Sequence, residues 1–131
     1  MLKKLLVLCV LVLFVAAFSV GCAAGAKPLQ VSDVQSDPFA YQGEIVISGV
    51  TSAFSEVNPA LFGVMDTEEL LQCKNFNCGA FVLPVKYVGS SGLPQIGDEV
   101  KMTGTFTYDG ENLVFMVSKF TVVRNILGQL G

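Results

Sequence analysis

Two cysteines, in the stretch Cys73-Lys-Asn-Phe-Asn-Cys78, are the residues of this 131-residue chain whose type and spacing most directly suggest chemistry. Four intervening residues suit a local disulfide, and closing so short a loop stabilises the folded state by roughly 2 kcal/mol on the chain-entropy model. A redox role is the alternative, a thiol-disulfide or electron-transfer accessory using Cys73 and Cys78. Reactive dithiols, however, usually stand at a helix start with two residues between them, which depresses the first thiol's pKa. A metal held by the pair would need carboxylates such as Asp66, Glu68 or Glu69, because the chain has no histidine. Calcium would need several converging oxygens in a loop pattern that is not present. No metal site and no cofactor are therefore assigned. Inside the cysteine loop, Lys74, Asn75, Phe76 and Asn77 form a possible contact loop, with Phe76 either turned to solvent or tucked back over the domain.

The absence of histidine also removes the usual general base near neutral pH and the usual haem ligand. Ser90 and Ser91 have no base near them in sequence and no nucleophile-elbow pattern. The expectation is a protein that is not an enzyme.

The segment ahead of this domain has its own logic. Lys3 and Lys4 precede an almost unbroken apolar run, Leu5 to Val20, which ends in Ser19-Val20-Gly21-Cys22. A basic stub, a short apolar stretch and small residues make a signal peptide, and the run is short of the roughly 20 residues that a spanning helix needs. Ser-Val-Gly-Cys resembles the bacterial lipobox, with Ser19 where leucine is usual, and this implies cleavage before Cys22 and lipidation of its thiol. A competing small-x-small site, Ala24-Gly25-Ala26, would instead release a chain starting at Lys27. Two or three acyl chains, at about 0.8 kcal/mol per buried methylene, would anchor the domain to a membrane. Ala23 in place of an aspartate points to the outer membrane, facing the periplasm. Residues 1–21 are thus expected to be a lipoprotein signal peptide, 22–30 a lipidated tether and 31–131 the domain. Lys3 and Lys4 fall in the leader, leaving six basic against eleven acidic groups, a net charge of −5. An acidic chain lacks the counterion-release term of nucleic-acid affinity, so no nucleic-acid partner is expected.

These residues need a scaffold. Val31 to Tyr41, with Asp33, Asp37 and Pro38, predicts one or two helical turns, closed by a turn at Gln42-Gly43. Five segments rich in β-branched and aromatic residues follow, separated by Gly, Pro, Asn and Asp. They are Glu44 to Ala53, Leu61 to Met65, Ala80 to Tyr87, Glu99 to Tyr108 and Asn112 to Val123. Gly49 suggests a bulge or bend in the first. Val100, Met102, Gly104 and Phe106 share one face of the fourth, and the fifth has room for a break near Ser118. Asp109-Gly110 is a hairpin turn, Val88 to Asp98 is a loop, and Asp66 or Thr67 caps a turn or helix start. The fold class is all-β, a small five-stranded OB-like barrel preceded by a short helix.

The stretch D-P-F-A-Y-Q-G-E-I-V-I-S-G-V resembles the entry of small bacterial exported OB-fold domains of the lipoprotein type, and L-P-Q-I-G-D-E-V-K-M-T-G-T-F is similar to their fourth strand. The two matches cover residues 31–123. The haem-carrying relative in this group holds haem through a histidine, so that role does not carry over. Together these readings imply a membrane-anchored cell-envelope lipoprotein that acts as a non-enzymatic binding or assembly module. Its partners would be the membrane and an envelope protein or small ligand, met by the loops Thr67 to Gly79 and Gly89 to Gly97.

Overall fold

A computed structural model describes residues 27–130. Lipidation of Cys22 and the leader 1–21 lie outside those residues. The elements are β1 (Leu29–Gln30), α1 (Val31–Gln35), a 3-10 turn (Pro38–Ala40), β2 (Ile45–Phe54), β3 (Leu61–Met65), α2 (Thr67–Cys73), β4 (Val82–Tyr87), β5 (Asp98–Asp109), β6 (Asn112–Asn125) and a last 3-10 turn (Leu127–Gln129).

The strand order is β1-β2-β3-β4-β6-β5, and β2 also pairs with β5, so the sheet returns on itself. Every neighbour in this ring is antiparallel except β4 and β6, which run parallel. This is a partly open five-stranded barrel of the OB type. The sixth strand is the two-residue β1, parallel to β2 with Leu29 opposite Ile47. Its place in the sheet means that the last two residues of the expected tether belong to the domain.

Alternation fills the barrel. Ile47, Phe62, Val64, Leu83, Val85, Val100, Met102, Phe115 and Val117 make one core, and Val31 and Val34 of α1 plug its end. On the outer face, α2 and the C-terminal turn build a second cluster around Val50, Met65, Leu70 and Ile126. Asp66 joins the two helices. Its carboxylate accepts the backbone N–H of Glu68 and Glu69 at 3.0 and 3.2 Å, capping α2, and that of Ser32 in α1 at 3.0 Å. Burial alone would raise its pKa, but these hydrogen bonds outweigh that cost and hold it below the usual carboxylate value.

The bends fall where the chain can give. The expected bulge at Gly49 is at Ser52 instead, where the β2–β3 register shifts between Thr51 and Ala53. Gly49 serves a different end: a Cβ there would meet Met65 O and Val31 Cγ2 at 2.8 Å, so its lack of a side chain lets β3 and α1 close on β2. The break near Ser118 is present, since Thr103 faces Lys119 and Gly104 faces Val117, leaving Ser118 as the extra residue.

Candidate functional site: an open seam in the barrel

Core packing of Leu83, Val85 and Tyr87 turns Val82, Pro84 and Lys86 outward, because side chains alternate along a strand. Backbone direction follows from the ladder. Tyr87 N–H donates to Ala60 O at 2.8 Å, which fixes the parity of the β3–β4 pairing. The hydrogen-bonding groups of residues 83, 85 and 87 therefore face β3, and those of 82, 84 and 86 face β6. On that second side Val88 N–H donates to Val117 O at 2.9 Å, and the parallel ladder runs back only to Val85 opposite Phe115. The next rung would need an N–H at position 84 for the Leu113 carbonyl. Proline has none, so the barrel seam opens there.

Outside this gap lies an apolar trough of about 500 Å³, lined by Ala53, Phe54, Ser55, Leu61 to Gly63, Val82, Pro84 and Asn112 to Val114. That size falls in the range of about 300–1,000 Å³ usual for ligand sites. Its floor is a row set by register, with Ala53 opposite Gly63 and Gly63 opposite Pro84. The trough crosses the strands between the β2–β3 loop, which carries Glu56, and the β5–β6 turn, which carries Glu111. Gly63 keeps it shallow-walled, since a Cβ there would meet Val82 Cγ1 at 2.5 Å. Ser52 Oγ donates to Gly63 O at 3.2 Å and holds the bulge beside it. Near the turn, Lys86 Nζ pairs with Asp109 at 2.9 Å.

Beneath the seam a second apolar hollow of about 240 Å³ separates the barrel from its plug, lined by Val34, Gln35, Pro38, Phe81, Leu83, Pro84, Phe106 and Leu113. Pro84 and Leu113 border both spaces. Phe39, next to Pro38 in the chain, and Tyr108, opposite Leu113, form an exposed tilted ring pair at 6.1 Å.

The residues singled out by sequence lie elsewhere. Cys73 and Cys78 are joined as a disulfide, with Cα atoms 6.1 Å apart, at the C-terminal end of α2 rather than at a helix start. Lys74 follows in the left-handed conformation and donates from Nζ to Gln129 O at 3.4 Å. Asn75 donates to Cys73 O and accepts from Asn77 N–H, at 3.0 and 2.9 Å. Phe76 packs back on the second cluster. Much of the loop's hydrogen bonding is thus spent within itself and on the C-terminal turn. The trough residues Gly63, Pro84 and Leu113 escaped the sequence reading. One signal was available, a proline inside an otherwise alternating strand, which marks a ladder edge.

No protein-family profile matches the chain, and no curated protein does. Among solved structures it is similar to the S. pombe Stn1-Ten1 complex, at 15% identity over 81% of this chain and 84% of that one, with a TM-score of 0.47. Two expectations are corrected at this point. Neither a family profile, a curated relative nor the similarity above supports the reading as a membrane-anchored envelope module, with its redox alternative, and that reading is withdrawn. The partner set of a lipid-anchored membrane and an envelope protein or small ligand, with nucleic acid excluded, goes with it. The exclusion also has a physical fault: it rested on the net charge of the whole chain, whereas binding depends on where cations gather, and Lys101 and Lys119 share one cleft.

Proposed function

We propose that the domain is a non-enzymatic binding module whose trough takes an extended, apolar segment of a partner protein. The observation that carries this reading is the seam at Pro84. It turns the backbone groups of Val82 and Leu113 toward an unfilled gap, and the walls around that gap are apolar. An extended peptide satisfies both features, since its main chain can bond to strand edges while alternate side chains enter the trough. Residues 1–21 support a further part of the reading, export of the chain, and the Cys73–Cys78 bridge agrees with an oxidising compartment.

A photo-cross-linking residue in place of Val82, which is 43% exposed, tests the trough in the full chain. The adduct is expected to map by mass spectrometry to an extended apolar stretch of a protein. A synthetic peptide of that stretch should bind the wild type and lose at least about tenfold in affinity to Val82→Asp, the cost of burying one unpaired polar group or charge. An adduct confined to non-protein material, or equal peptide binding by Val82→Asp, would refute the proposal.

A further inference from the structure

The hollow of about 240 Å³ behind the trough has walls that define its occupant. Val34 of α1 and Leu83 of β4 line it, and both are buried. Phe81 and Phe106 are only half-buried, packed on the barrel core yet bordering this open space. Phe106 has one ring neighbour, Phe115 at 5.1 Å, and Phe81 has none among the described residues. Gln35 is the one polar side chain of the lining, and it is exposed.

Size and chemistry agree on an aromatic ring. An apolar cavity of about 150 Å³ is enough to hold benzene. Phe81 and Phe106 would meet an incoming ring in tilted or edge-to-face contact. The way in is the seam, since Pro84 and Leu113, the pair whose rung is missing, border the trough and the hollow alike.

We infer that the hollow is an anchor pocket: an aromatic side chain of the segment held in the trough passes between Pro84 and Leu113 and packs against Phe81 and Phe106. This rests on the reading of the trough as a peptide site, and adds the residue class that selects its partner. Aromatic anchors seated in pockets carry much of the energy of such interfaces.

The test follows methyl signals of the isotope-labelled full chain during titration with toluene, the phenylalanine side chain without its backbone. Val34, Leu83 and Leu113 should show ring-current shifts. Methylcyclohexane, similar in size but not aromatic, should bind about two- to tenfold more weakly, the worth of one aromatic pair. Gln35→Phe, which sets a ring beside the hollow from an exposed position, and Phe106→Leu, which removes an aromatic wall, should each weaken toluene binding, with thermal melting to check that both stay folded. The peptide mapped through Val82 should shift the same methyls and lose about two- to tenfold in affinity when its aromatic residue is changed to leucine. No toluene shifts at these methyls, or shifts undiminished in both variants, would overturn the pocket. A peptide that moves the amides of Ala53 and Gly63 but not the Val34 methyls, or one with no aromatic residue, would keep the trough and overturn the anchor. Toluene bound in the hollow while no peptide binds the trough would instead overturn the extended-segment reading, and the anchor with it.

Discussion

Strand β6 pairs on both sides, and its two sides differ. Toward β5 the ladder runs from Asp98 opposite Asn125 to Asp109 opposite Asn112, passing two bulges without stopping. Toward β4 it spans only Val85 to Tyr87. The same strand, with the same apolar alternation, is wall on one side and opening on the other. Hydrophobicity does not separate the two, since Val82 and Leu113 are as apolar as Val117. A single missing N–H does, and ladder closure can therefore be set by one donor without altering the core behind it.

The largest effect that sharpens this contrast is expected in the wall. Phe115 is wholly buried, and Phe115→Ala should cost about 3–5 kcal/mol, measured by urea unfolding. Val82→Ala, on the seam and 43% exposed, should cost less than about 1 kcal/mol because little area is buried there. Equal costs would mean that the seam is as closed as the wall.

A middle-sized effect concerns the plug. Asp66→Ala removes the α2 cap and the tie to Ser32, and should cost about 1–2 kcal/mol at neutral pH. The Asp66 pKa is lowered in the folded state, so its contribution is present above the ordinary value of 3.8 and is lost as pH falls through the folded value. Wild type and Asp66→Ala should accordingly converge in stability below pH 3.8, as followed by thermal melting across an acid series. A gap that stays constant with pH would assign the effect to packing.

The smallest effect is the most diagnostic. Pro84→Val restores the missing donor, and should extend the β4–β6 ladder by one rung and stabilise the fold by about 1 kcal/mol. Slow hydrogen exchange at position 84, together with weaker binding of the trough peptide, is the expected pair of readings. Fast exchange there would show that the proline is not what holds the seam apart.

Much of the barrel was legible because strand alternation and turn residues are local. Phe81 to Tyr87, Val100 to Phe106 and the break at Ser118 could be read from their own neighbours. What stayed hidden depends on pairing. Ala53, Gly63 and Pro84 lie far apart in sequence and become one floor only through register. Phe76, among polar neighbours, gives no sign that Leu70 and Ile126 will receive it. Gly49 looks like a bend from its own strand, and its role as a contact for Val31 and Met65 needs the third dimension.

The pairing of β1 with β2 has a mechanical consequence. A load applied ahead of Leu29 enters the domain through two residues of parallel strand and, through α1, the Ser32 bond to Asp66. Both are short links, whereas the β5–β6 wall is long. Under tension from that end the plug of Val31 and Val34 should yield first, leaving a barrel that is unstoppered but still closed by its longest ladder. Single-molecule extension would record this as a small early step before the main rupture.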